Sequence, residues 1–150
     1  MERLRGRYLN VPLAAVLHPA SASAQQAATE QKAAAHAAPA VQEEELTAQQ
    51  WFERGFAAVD IDEKLRFYSE AIRLKPDDAL AFYNRGIARR AQGDLERALQ
   101  DYTEAVRFKP DYAVAFNNRG IARRAKGDSE RALQDYNEAI RLGYKPSPKG

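Results

Sequence analysis

The chain has 150 residues, enough for one domain, and its 45% hydrophobic and 29% charged residues are ordinary for a soluble fold. A formal net charge of +2 is too small to argue for nucleic acid. With no cysteine, structural disulfides, thiolate metal sites and the acylated cysteine of a lipoprotein are excluded.

Met1 to Ala24 reads as an export signal. Arg3, Arg5 and Arg7 make a basic start, Val11 to Leu17 is a short apolar run, and Ala22-Ser23-Ala24 offers small residues for cleavage before Gln25. A periplasmic or secreted protein is therefore expected. Because Asn10, Pro12, His18 and Pro19 interrupt the apolar run, a disordered cytoplasmic N-terminus is the alternative. No run approaches the length of a membrane span. Residues 25–46 are dominated by Ala, Gln and Glu with Pro39 and show no core period, which predicts a disordered tether. Glu43 to Glu45 are expected to suit the first turn of the next helix through its dipole.

The remainder repeats itself. Residues 79–112 and 113–146 align without a gap: Phe82 falls on Phe116, Gly86 on Gly120, Gly93 on Gly127, Ala98 on Ala132, Tyr102 on Tyr136 and Ala105 on Ala139. Such self-similarity predicts stacked supersecondary units rather than one closed globule. An imperfect third copy over residues 48–78 places Trp51, Gly55, Tyr68, Ala71 and Pro76 in the same roles. Gly55 to Gly86 is 31 residues against 34 for Gly86 to Gly120, and the shortage is expected in the turn from Ala57 to Asp62, where Asp60 and Glu63 suit a capping box.

Within a unit, Leu80, Tyr83, Asn84, Ile87, Arg90 and Ala91 form one helical stripe and Phe82, Gly86 and Arg89 a second. Gly93-Asp94 breaks this helix and caps the next. Leu95, Ala98, Leu99, Tyr102, Ala105 and Val106 then make one apolar stripe, with Glu96, Arg97, Gln100, Asp101 and Glu104 expected in water. Asp94, Asp111 and Asp128 read as caps. Asp101 and Asp135, four residues after Arg97 and Arg131, read as members of exposed surface pairs. After Leu142, Gly143 ends the last helix. An apolar flank is expected there, to be covered by a partner, a second copy or the folded-back tail.

Phe82, Gly86, Ala98, Tyr102 and Pro110, with Phe116, Gly120, Ala132 and Tyr136, carry the spacing of a known family, and the chain resembles the tetratricopeptide repeat. The resemblance implies an all-α, right-handed solenoid of about three helix-turn-helix repeats in a domain over residues 47–146, behind a disordered N-terminal region and before a tail over residues 147–150. Arg85 and Arg119 stand where the family often has leucine, and Arg89 and Arg123 where it often has tyrosine. These are expected to alter the surface.

The resemblance also implies a groove lined by the first helix of each repeat. Carried across, it would present Phe52, Phe56, Tyr83, Asn84, Ile87, Arg90, Asn117, Asn118, Ile121 and Arg124 to a partner peptide or protein. Asn84 and Asn118 offer donor and acceptor to a peptide backbone, and Arg90 and Arg124 favour acidic groups. The alternative for Phe52 and Phe56 is that they complete the core of the shortened repeat. One subclass of the family clamps the acidic C-terminal tail of heat-shock chaperones. Asn84 matches its second-repeat asparagine, but Phe52 and Phe56 take the places of its first pair and Val114 and Asn118 those of its last, so membership is not expected.

Catalysis finds no support. His18 and His36 both lie outside the repeats, no glycine-rich phosphate loop is present, and no metal-ligand cluster is visible, so neither an enzyme nor a bound cofactor is expected. Asp94, Glu96, Asp101 and Glu104 interrupt any basic stripe that would bind nucleic acid. The sequence thus predicts a non-catalytic protein-binding module, placed by its signal in a bacterial envelope complex. The alternative is a self-assembling structural protein, a homo-oligomer joined through uncapped repeat ends.

Overall fold

Caps and breaks decide where each helix begins. The computed structural model describes residues 42–148, so the expected export signal and most of the expected tether lie outside the described residues. Six α-helices follow in order: α1 (Ala48–Ala57), α2 (Ile61–Leu74), α3 (Ala79–Ala91), α4 (Leu95–Phe108), α5 (Ala113–Ala125) and α6 (Ser129–Arg141). They pair as α1–α2, α3–α4 and α5–α6, and each pair packs on the next within a unit spanning Glu45–Gly150. The fold is the all-α, right-handed solenoid that the sequence predicts. Among the described residues, no helix is long and apolar enough to cross a membrane.

Thr47 opens α1 with a reciprocal box: its hydroxyl accepts from Gln50 N at 3.2 Å, and Gln50 Oε1 accepts from Thr47 N at 2.9 Å. The expectation for Glu43 to Glu45 is corrected, because these residues form a separate 3₁₀ turn ahead of Thr47 and are not part of α1. Asp60, Asp94 and Asp128 each accept a backbone N–H in the first turn of the helix that follows. Asp78 does the same for α3, taking Leu80 N and Ala81 N. At the next junction the cap position is Tyr112, which makes no side-chain cap bond, so Asp111 is not the cap that its spacing suggested. The Lys-Pro-Asp sequence is shared by both junctions, but the capping station falls one residue later.

Gly93 and Gly127 adopt φ of 84° and 89°, the left-handed conformation that closes α3 and α5. The first repeat has no counterpart. There α1 is 10 residues long against 13 in α3 and α5, and the chain leaves it through an extended Ala58. The three missing residues therefore come out of the last turn of α1.

Three glycine–tyrosine pairs bring the two helices of each repeat together. A Cβ on Gly55 would stand 2.7 Å from the Tyr68 ring, one on Gly86 2.7 Å from Tyr102, and one on Gly120 2.8 Å from Tyr136. These distances are far below van der Waals contact, so only glycine admits the tyrosine edge. Around them, Leu46, Trp51, Ala71 and Ala81 close the first junction, and Phe82, Ala105, Val106, Tyr112 and Ala115 the second. Small residues alternate with large ones, so the layers interlock at high density.

A second set of contacts inside the repeats was not legible as such. Arg85 Nε and Nη2 donate to the two oxygens of Asp101 at 3.0 and 2.8 Å, and Arg89 Nη1 lies 2.9 Å from Oδ2. Arg119 and Arg123 repeat the arrangement on Asp135 at 3.0, 2.8 and 2.7 Å. Asp101 is 2% exposed and Asp135 3%, so the reading of both as exposed surface pairs is overturned. Their partners are across the helix pair rather than one turn away. The expectation that Arg85, Arg89, Arg119 and Arg123 alter the surface is corrected with it, since all four point inward to these carboxylates. Burial draws the Arg89 guanidinium below its ordinary value, and the Asp101 charge opposes that shift.

Candidate functional site

Helical spacing carries Leu80, Asn84 and Ile87 on one side of α3 and Val114, Asn118 and Ile121 on the same side of α5. Phe56 takes the place of Ile87 in α1, because Gly55 aligns with Gly86. Nine large hydrophobic side chains are exposed among the described residues, and five of them, Phe56, Leu80, Ile87, Val114 and Ile121, lie on these first helices. Scattered exposed hydrophobics need no explanation, but a set repeated at one station in successive helices is a surface. Leu80 and Val114 were not among the residues carried over from the resemblance. Their register two positions before Phe82 and Phe116 was the available signal.

The two later repeats are joined across this face by polar groups. Asn118 Nδ2 donates to the Tyr83 hydroxyl at 2.8 Å, and Arg90 Nη1 donates to Asn118 Oδ1 at 3.3 Å. Tyr83 stacks obliquely against Tyr112 at 5.0 Å and Tyr102 at 6.1 Å. Burial raises the Tyr83 phenol above its ordinary value, with the Asn118 bond and the Arg90 charge acting against the rise. Tyr83, Arg90 and Asn118 are thereby brought together as one cluster. Arg90 and Arg124 are the exposed members of their arginine pairs, since Arg89 and Arg123 are held on the buried carboxylates.

The other carried-over residues take different positions. Asn84 Nδ2 donates to Leu80 O at 2.8 Å within its own helix, which leaves its carbonyl oxygen for a ligand. Asn117 lines a cleft of about 210 Å³ with Tyr136, Ile140, Tyr144 and Pro146, at the far end of the last repeat. Phe52 is half-buried against Tyr68 at 5.6 Å and belongs to the packing of the first repeat, whereas Phe56 is 71% exposed.

With Gly55 on Gly86, the residues of α1 that correspond to Leu80 and Asn84 are Gln49 and Glu53, whereas Phe52 and Phe56 correspond to Tyr83 and Ile87. Gln49 Nε2 donates to Glu53 Oε1 at 3.1 Å, so an acid stands at the first-repeat end of this face.

A second cleft, of about 770 Å³, runs between the turn ends of the second and third repeats. Its charges are already matched: Arg85 and Arg89 with Asp101, Lys126 with Glu96, and Arg131 with Asp128. Its five cations and four acids are nearly balanced. Among the described residues, no group of three metal-ligating side chains is present.

Three family profiles match the chain, one described as TPR repeat over residues 88–127 and two as tetratricopeptide repeat over residues 67–100 and 113–142. No curated protein matches the sequence. Among solved structures, the chain is similar to the Arabidopsis OM64 TPR domain, at 28% identity over 65% of this chain and 83% of that one, with a TM-score of 0.63. It is similar to the second TPR of Spaghetti (RPAP3) bound to HSP90 peptide SRMEEVD, at 28% identity over 68% and 97%, with a TM-score of 0.62. It also resembles MamA, at 22% identity and a TM-score of 0.62, a likeness of fold. That match covers 64% of this chain, which spans 58% of the length of the MamA chain.

Proposed function

The chain belongs to the tetratricopeptide-repeat family, and from that premise we propose that the face shared by α1, α3 and α5 is a groove that holds a segment of a partner protein. The fold generally serves as a non-catalytic interaction module, and a relative of similar fold is described with a peptide bound. The observation that carries the reading is the row of exposed side chains Phe56, Leu80, Ile87, Val114 and Ile121. Covering them removes apolar surface from water, and each side chain fully covered contributes about 1.5–3 kcal/mol before the cost of ordering the ligand.

The partner segment is apolar with acidic groups. Its apolar residues lie along the row, and its carboxylates meet Arg90 and Arg124, whose guanidinium groups are exposed one repeat apart. Glu53 at the first-repeat end disfavours an acid there, so the acids belong over the second and third repeats. The HSP90 peptide of the Spaghetti structure is not the intended ligand, since Phe52, Phe56, Val114 and Asn118, in the places of that subclass's clamp, offer no cation to its acids.

The setting we propose is a bacterial envelope complex. It rests on the export-signal pattern of Met1 to Ala24, and N-terminal sequencing of the expressed protein tests it: a mature chain starting at Gln25 supports export, and a retained Met1 rejects it.

Groove capture is tested by screening a peptide panel of apolar-acidic composition against the full chain and against Ile87→Asp and Arg90→Glu/Arg124→Glu. Binding lost in both variants, and kept in Leu133→Asp on α6, supports the groove. Peptides that bind all three variants alike reject it.

A further inference from the structure

The outer side of α6 is a surface that the chain covers twice elsewhere with its own helices. Val106 of α4 is 9% exposed beside α5, whereas its counterpart Ile140 in α6 is 59% exposed. Leu99 is partly buried in the cluster that includes Ala122, whereas its counterpart Leu133 is 59% exposed. The chain thus contains, at its two internal junctions, a description of what such a face accepts.

That description is specific. Each covering helix presents two buried alanines seven residues apart, Ala81 and Ala88 in α3, Ala115 and Ala122 in α5. Ala115 packs with Ala105 and Val106, towards the end of α4, and Ala122 with Ala98 and Tyr102, towards its start, so the covering helix runs antiparallel to the helix it covers. Four residues beyond the second alanine stands a polar side chain that reaches an acid on the covered helix. Gln92 donates to Asp62 Oδ1 at 2.7 Å, and Lys126 pairs with Glu96. In α6 the place of Asp62 and Glu96 is held by Glu130, which has no partner among the described residues.

Among the described residues, those that follow α6 do not supply such a helix. Gly143, at φ 95°, turns the chain, and Tyr144 and Pro146 line the small cleft with Asn117, Tyr136 and Ile140, yet Ile140 and Leu133 stay more than half exposed. Nor does α1 of a second copy fit the description. Gln50 and Ala57 take the places of the two alanines there, and Gln50 is held in the Thr47 capping box.

We propose that the outer face of α6 binds an amphipathic helix of another protein. That helix lies antiparallel to α6, sets two small residues seven apart over Leu133 and Ile140, and places a lysine or glutamine four residues beyond the second to meet Glu130. The surface is separate from the groove of the first helices, so one chain joins two partners.

The probe is a fluorescent peptide copying residues 111–128, the sequence of α5, titrated against the full chain and followed by anisotropy. Saturable binding is expected, weakened about tenfold or more by Leu133→Asp and by Ile140→Asp. Both positions are exposed, and circular dichroism checks that the variants stay folded. Glu130→Lys is expected to weaken the same peptide and to be rescued by a peptide carrying Lys126→Glu, a charge exchange that nonspecific apolar adhesion would not follow. The proposal is overturned by absence of saturable binding up to about 1 mM. It is also overturned if binding ignores Leu133→Asp and is lost in Ile87→Asp, which places the peptide in the groove. A chain that sediments as a dimer split by Leu133→Asp overturns it as well, because a second copy is then the occupant.

Discussion

Arg85 grips Asp101 with two parallel hydrogen bonds, at 3.0 and 2.8 Å, across the helix pair of the second repeat, where the carboxylate is almost wholly removed from water. Such a pair is costly to break from one side, because the remaining charges stay buried. Asp101→Ala is expected to lower stability by about 3–5 kcal/mol in denaturant unfolding. Replacing Arg85, Arg89 and Asp101 together by apolar residues of similar volume is expected to cost far less. In the first repeat Phe67 stands at the station of Asp101 and packs on Trp51 at 5.8 Å, and Arg54, at the station of Arg85, lies over the Trp51 ring.

Tyr102 is fully buried beneath Gly86, and a Cβ at that glycine would meet the ring at 2.7 Å. Gly86→Ala gains helix propensity of about 1 kcal/mol and loses more to overpacking, so a net loss of about 1–2 kcal/mol is expected. Gly120→Ala meets Tyr136 at 2.8 Å, a ring partly exposed on the last repeat, and also the backbone oxygen of Ala132 at 3.1 Å, which cannot swing aside. Its loss should be of similar size, and parallel thermal melts of the two variants check it.

How much of this was legible in the sequence depends on which helix held the partner. Gly86 with Tyr102 and Gly120 with Tyr136 could be read, because their spacing recurs and a small residue opposite a large one is a packing signature. Asp101 was misread because its nearest cation in sequence, Arg97, lies one turn away on the same helix, whereas its true partners lie on α3. The recurrence of Arg85, Arg89 and Asp101 as Arg119, Arg123 and Asp135 was visible but says nothing of direction. Asp111 failed as a cap for a smaller reason, a one-residue difference between Asp77-Asp78 and Asp111-Tyr112. Of the candidate face, Arg90 and Asn118 could be named from register. That Asn118 reaches back to Tyr83 depends on how two repeats stack.

Burial raises the Tyr102 phenol to about 12, with the Arg90 charge and its hydrogen bond to the phenol acting against the rise. The unfolded chain ionises near 10, so the folded state binds the proton more tightly. The stabilisation is fully present below pH 10 and is lost progressively as pH rises through about 12. Tyr112 is raised in the same direction by burial and adds to the loss. Tyr102→Phe removes a buried hydroxyl and is expected to change stability at pH 7 by no more than about 1 kcal/mol. It should also shift the alkaline transition upward, which unfolding curves between pH 8 and 12 would reveal if those are spaced at about one unit.

The groove predicts a negative as well as a positive. The HSP90 peptide SRMEEVD is expected to bind no tighter than about 1 mM by calorimetry, because Phe52, Phe56, Val114 and Asn118 offer its acids no cation and Glu53 adds a like charge at the first repeat. Exchanging Glu53 for lysine should strengthen it. A tight complex with the unaltered chain would place the carboxylate-holding groups somewhere other than Arg90 and Arg124.

Substantial packing runs only between helices that are neighbours in the chain, from α1 to α6 in turn. The six helices are therefore put together like a column, in which, among the described residues, every layer has a floor and a ceiling except the outermost two. Loosening starts at those ends and travels inward layer by layer, so the middle pair, α3 and α4, keeps its amide protons longest. A ligand seated at one end would slow exchange through the whole column without touching the opposite end, because each layer it steadies becomes the floor of the next.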